Sequence, residues 1–228
     1  MKKTVALILA LTLIFTFTAC SAGGGNETTT ANTQSTAAGT TSAEAEQTEE
    51  TPRSDKKILT IYFSSANTVD ATSSATPYFD GVASTEYLAQ YINKKVGGDI
   101  AKLTPVKDYP ESYNATADAA KKETDSNARP EFQKLEVNPE DYDVIFVGYP
   151  MWWYTLPMIF YTFFDTYDFS GKTIIPFNTH EGSGDGGTYD EIRDFEPNAT
   201  VLDGFNVRGS NADNADSDLD EWLAGLNY

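Results

Sequence analysis

The chain has 228 residues, 40% of them hydrophobic, which is enough for one domain with a substantial core once the ends are set aside. Its formal net charge of -18 argues against binding nucleic acid or an anionic membrane through a basic face. One cysteine and one histidine exclude internal disulfides, CxxC redox centres and a histidine metal cluster, so any redox chemistry needs a borrowed cofactor.

Lys2 and Lys3 precede an apolar run over residues 4–17, and Thr18 and Ala19 then lead into Cys20. This is the pattern of a secretory signal, and the run is too short for a permanent transmembrane helix. Its end, FTAC, is similar to the bacterial lipoprotein signal, which implies a signal peptide over residues 1–20 and a lipidated Cys20 as anchor on the outer face of a bacterial membrane. Residues 21–55 are Gly, Thr, Ser, Ala and Glu with almost nothing apolar to bury, and are expected to form a flexible tether. Beside such a signal the glycosylation sequons at Asn26, Asn114 and Asn198 are read as chance. The globular domain is expected over residues 56–228, where 13 basic and 28 acidic residues give 13 - 28 = -15.

Residues 58–63, ILTIYF, read as the first strand. After a polar loop, residues 84–98 form a helix that Ser84 caps and Gly97 and Gly98 stop, with Leu88, Tyr91, Ile92, Lys95 and Val96 at helical spacing. Residues 99–105 are a more polar second strand, suited to an edge. An Ala-rich helix over 113–128 ends at Arg129 and Pro130. Val144 to Val147 is an unbroken apolar run, the mark of a strand buried on both faces of a parallel sheet. The chain then turns at Gly148 and Pro150 and places Trp152, Trp153 and Tyr154 on a loop at that strand's carboxyl end, the edge where open α/β sheets hold ligands. Three adjacent aromatics there suit a flat, partly apolar ring, although either Trp alone could equally fill core. A helix over 158–167 follows, then a fourth strand over 173–177. Inside it Pro176 requires a bulge or a missing ladder bond. The loop NTHEGSGDGG, a helix over 188–195, a fifth strand over 201–207 and a final helix burying Leu219, Trp222, Leu223 and Leu226 complete the chain. Five strands alternating with five helices predict an α/β fold, a doubly wound parallel sheet with helices on both faces.

YFSSAN, STEYLA, KDYPESYNATADAAKKETDSNARPE, GYPMWWYTLP and FSGKTIIPFNTHEGSG together resemble the flavodoxin family, and more closely its extracytoplasmic lipoprotein-type branch. The resemblance implies a flavodoxin-like five-stranded sheet of order 2-1-3-4-5 that holds FMN where the strand order switches. It also implies that Trp152 is the aromatic of the second cofactor loop, with Trp153 as the alternate stacking partner and Pro150 and Met151 along the ring edge. Thr179, His180, Glu181, Gly182 and Ser183 match the third loop, on the pyrimidine side of the ring.

The residues agree with such a ligand. Between Ser64 and Glu86 there are many hydroxyls and no Lys or Arg, so a phosphate monoester would be held by hydroxyls and backbone N–H groups. Ser64 and Ser65 at the strand end, with Ala83, Ser84 and Thr85 at the helix start, are the candidates; the plainer alternative is a helix cap and turn formers. GSGDGG follows the fourth strand and carries Asp185 where a pyrophosphate would lie, so it reads poorly as a dinucleotide site. DATSSAT is similar to the motif at which extracytoplasmic proteins receive FMN covalently, with Thr76 as acceptor. The leading expectation is an FMN-binding electron-transfer protein, tethered outside the cell, that meets a redox protein or a small-molecule donor or acceptor. The alternatives are an FMN-dependent NAD(P)H:quinone-type reductase and a non-redox module that has lost its cofactor. With no GxSxG and no HExxH, hydrolases find little support.

Overall fold

The computed structural model describes residues 55–65, 78–79 and 82–228. Cys20, the tether and Thr76 lie outside them. Strand β1 (Ile58–Tyr62) is followed by a two-stranded antiparallel hairpin, β2 (Tyr78–Phe79) with β3 (Val82–Ala83), which the sequence did not suggest. Then come α1 (Ser84–Val96), β4 (Asp99–Lys102), α2 (Tyr113–Asp125), β5 (Val144–Pro150), α3 (Ile159–Thr166), β6 (Thr173–His180), α4 (Thr188–Phe195), β7 (Thr200–Val201), β8 (Phe205–Arg208) and α5 (Asp216–Gly225). The parallel sheet runs β4-β1-β5-β6-β7, with β8 also on β6. This is the expected 2-1-3-4-5 order, with the fifth position filled by two short strands.

That division has a physical cause. The β6 to β7 register is Thr173↔Thr200 and Ile174↔Val201, an offset of 27, whereas Phe177↔Phe205 to His180↔Arg208 have an offset of 28. One extra residue is therefore inserted opposite Pro176. Ile174 O accepts from Leu202 N at 3.0 Å, so Pro176, two residues on, turns its missing N–H toward the same side. The bulge sits where the ladder would have lacked that donor, as the sequence required.

Several bounds shift. The expected strand over 99–105 stops at Lys102. The helix expected over 113–128 stops at Asp125, and Leu226 falls just past α5. Gly148 is a strand residue instead of a turn, because its missing Cβ leaves room for the Phe177 ring that crosses β5 beside it. Gly97, at φ 78, does end α1.

Two cores flank the sheet. On one face α1 and α5 cover Ile58, Tyr62, Val144, Phe146 and Phe177 through Leu88, Ile92 and Leu219. On the other, Ile159, Phe160 and Phe163 of α3 and Ile192 of α4 cover Leu59, Ile61, Ile145 and Val147. Val144 to Val147 are wholly buried, each contributing on the order of 2 kcal/mol. A rigid central strand thus supports the loop that follows it.

Candidate functional site

The segment after β1, the start of α1, and the loops after β5 and β6 meet at the carboxyl edge of the sheet. Phe63 N donates to Gly148 O at 2.9 Å and carries the β1 pairing one residue further, which places Ser64 and Ser65 at the edge, 5% and 6% exposed. Three buried side-chain oxygens among the described residues have no partner: Thr60, Ser64 and Thr162 Oγ. Thr60 is in the middle of β1 and Thr162 is in α3; Ser64 is the one at the ligand edge.

Helix α1 begins over this edge without a capping side chain. The expected cap, Ser84, is instead the first helical residue and is fully buried; the N-cap position belongs to Ala83, in extended conformation at φ -77 and ψ 159. Thr85 Oγ1 meets Thr179 Oγ1 at 2.7 Å, both side chains wholly buried. This contact links the helix start to the end of β6 and commits the Thr85 hydroxyl. A helix start with no side-chain cap and a buried serine hydroxyl without a partner among the described residues, both at this edge of the sheet, fit a phosphate monoester, which accepts hydrogen bonds from neutral donors and gains from the helix dipole.

The second loop is a tight turn. Trp152 N donates to Thr155 O and Thr155 N to Trp152 O, both at 3.1 Å, with Trp153 at φ 52 and Tyr154 at φ 63. Positive φ at both central positions defines a type I′ turn, where Asn-Gly is the usual pair. Trp152 is 9% exposed and packs edge-to-face on Phe63 at 5.2 Å and Tyr109 at 4.9 Å. It is therefore a core residue first, with only a rim left for a ligand. Trp153 is half exposed; its indole N–H donates to Ala117 O at 2.9 Å, and Lys121 Nζ lies 5.8 Å from its ring. Tyr154, the third aromatic of the triplet, is the most exposed of the turn at 74%. Met151 is buried, its N–H donating to Thr179 O at 2.8 Å, while Pro150 closes β5.

The third loop begins later than expected, because β6 continues through Asn178, Thr179 and His180. These polar side chains are buried because each finds a partner. Tyr189 OH donates to Asn178 Oδ1 at 2.8 Å, Asn178 Nδ2 donates to Gly184 O at 3.1 Å, and Gly182 N donates to His180 Nδ1 at 2.9 Å. Burial holds the His180 pKa below the ordinary histidine value; a hydrogen bond with Asn206 opposes this and the Arg208 charge adds to it. Glu181 spends its carboxylate on Ser210, accepting from N at 2.9 Å and from Oγ at 3.1 Å. Gly182 is exposed and Ser183 half-buried. Gly186, at φ 57, has a backbone that favours glycine, and a Cβ there would lie close against the second loop, 3.3 Å from Tyr154 O and 3.4 Å from Met151 Sδ. Loops two and three therefore abut.

A family profile described as flavodoxin matches residues 73–226. The chain belongs to the flavodoxin family. Among solved structures, this flavodoxin is similar to a Bacteroides eggerthii protein described as a flavoprotein, with 26% identity and TM-score 0.58 over 75% of this chain and 97% of that one. A Bacteroides uniformis protein described in the same way is 25% identical, with TM-score 0.59 over 74% and 98% of the two chains. A Lactobacillus acidophilus flavoprotein, solved in complex with FMN, shares the fold at 19% identity and TM-score 0.53, over 74% and 99%. No curated protein matches the chain.

Asn206 and Arg208 of β8 and Ser210 just after it support His180 and the third loop, and polar residues in and after a short strand gave no sign of that role. Tyr109 and Phe63 enclose Trp152 from positions distant in the chain. Tyr154 was legible as the third member of the aromatic triplet.

Proposed function

We propose that this flavodoxin binds FMN and transfers electrons, held by a lipid on Cys20 at the outer face of a bacterial cell membrane. The observation that carries the FMN reading is the Ser64 hydroxyl, buried without a partner among the described residues at the sheet edge where α1 starts with no side-chain cap from Ala83. Ser64 and Ser65, with the α1 start around Ala83, Ser84 and Thr85, would hold the phosphate. Pro150, Met151 and the rim of Trp152, with Tyr154 exposed beyond them, would line the ring. Thr179, His180, Gly182 and Ser183 would meet its pyrimidine side, and Glu181 would brace that loop from outside. The flavin supplies the redox chemistry, while the chain supplies position, exclusion of water and local charge. Thr76 is retained as a candidate for covalent attachment, testable by the intact mass of Thr76-containing peptides after expression with a flavin transferase.

Titration of the described domain with FMN, followed by flavin fluorescence, tests the reading. Ser64→Ala is expected to weaken binding roughly tenfold, the size of one lost hydrogen bond to a charged group, with melting temperature unchanged or higher. Thr60→Val, which removes the orphaned hydroxyl inside β1, should leave affinity unchanged. Absence of FMN binding by the wild-type protein would overturn the reading. Steady NAD(P)H oxidation with a quinone would favour the reductase alternative over a carrier.

A further inference from the structure

The third loop leaves β6 under three restraints. Gly182 N–H donates to His180 Nδ1 at 2.9 Å, Arg208 Nη1 donates to Glu181 O at 3.1 Å, and the Glu181 carboxylate accepts twice from Ser210. Two of them come from β8 and the turn after it; the third is the chain's one histidine, 8% exposed. A ring nitrogen that accepts an N–H cannot itself carry a proton. His180 is therefore neutral with its proton on Nε2, the ring also hydrogen-bonding Asn206. Gly182, at φ 134, lies in a region that favours glycine, and a Cβ there would come within 3.4 Å of Arg208 Nη2. The amide's orientation is thus set by the imidazole, with the Arg208 guanidinium in ordinary contact range of the Gly182 α-carbon's open side.

We propose that His180 is a positioning residue for the third loop: its unprotonated Nδ1 holds the Gly182 amide in the orientation a bound flavin meets, and protonation of that nitrogen frees that amide while Arg208 and Ser210 still hold Glu181. This rests on the FMN reading for its functional consequence. The imidazolium has two N–H donors and no acceptor, so the Gly182 N–H loses its partner and faces a like donor instead. The charged groups facing the ring are Arg208 from β8 and Glu181 and Asp185 from the loop; burial and Arg208 favour the neutral form, while Asn206 and the two carboxylates oppose them. The ring is accordingly neutral at pH 7, and release belongs to the acid side of the ordinary histidine range.

The experiment has two parts. In the FMN-free protein, nitrogen and amide NMR shifts are followed from pH 8 to pH 5. The expected result is an Nε2–H tautomer at pH 8 and a Gly182 amide shift that moves with the His180 titration; a Gly182 amide indifferent to that titration overturns the proposal. In the second part, FMN and riboflavin affinities are measured by fluorescence over the same range for wild type, His180→Asn and His180→Leu. Asparagine Oδ1 replaces the Nδ1 acceptor but does not titrate. Wild type should lose roughly tenfold in affinity for both ligands across the His180 titration. His180→Asn should hold one affinity from pH 8 to pH 5, and His180→Leu should bind more weakly than His180→Asn throughout. If His180→Asn keeps the wild-type acid loss, or His180→Leu binds as wild type does, the proposal fails. Should the wild-type protein bind neither ligand, the FMN reading fails by itself, and the Gly182 shift still decides whether the imidazole holds the loop.

Discussion

A single carboxyl shows how this chain couples charge to stability. Glu196 closes α4, its N–H donating to Ile192 O at 2.8 Å, and its side chain is half-buried with Asp168 and Asp165 nearby. Burial first, then those two charges, push its pKa up to about 7. A raised acid pKa means that the folded state binds the proton more tightly than the unfolded chain does. The associated stability is present below the ordinary glutamate range and is lost as pH rises through about 7. Because the group is partly solvated, the loss should amount to only about 1 kcal/mol. Wild type is therefore expected to fall by a few degrees in melting temperature between pH 5 and pH 8 relative to Glu196→Gln, measured by calorimetry. An identical pH profile for the two proteins would remove this account.

Among the elements, the turn at Trp153 and Tyr154 carries the clearest strain. Two bulky residues at positive φ cost roughly 1–3 kcal/mol each, and such strain collects where a loop must present a particular surface. Trp153 recovers part of this through its bond to Ala117 and its contact with Lys121, whereas Tyr154 is exposed. Tyr154→Asn, which tolerates the left-handed region, should stabilise the domain by about 1 kcal/mol, or 2–4 °C, while weakening FMN binding. A melting curve and a fluorescence titration on one sample would check both. The elements also show where the sequence was readable. Val144 to Val147 announced β5 because an apolar run needs no partner to be recognised, and α4 matched residues 188–195 because the glycine run before it marks its start. The far half of β6 was hidden, since Asn178, Thr179 and His180 look like loop residues until Tyr189, Thr85 and Gly182 arrive to satisfy them. Trp152 was undecidable for the same reason, because its neighbours Phe63 and Tyr109 come from other segments. Pro176 was the exception: its missing donor called for an irregularity, and the one-residue insertion lies opposite it.

For the domain as a whole, residues 56–228 carry 13 - 28 = -15 by formal charge, which gives a site on it a negative potential. Adding negative charge to a ring held there is disfavoured, so the final reduction step of bound FMN should lie below that of free FMN. Raising the salt concentration should move it back toward the free value as screening sets in. Potentiometric titration at low and high ionic strength would test this, and a final step at or above that of free FMN would contradict it.

The broken fifth strand has a consequence beyond the site. One rim of the sheet is interrupted between Val201 and Phe205, and the opposite rim, β4, is four residues long and ends on Lys102. Neither margin offers a foreign strand a long, even row of free amides and carbonyls to zip onto. Crowded copies of this protein are thereby hindered from knitting into fibres, and the proline in β6, opposite the inserted residue, contributes to that protection.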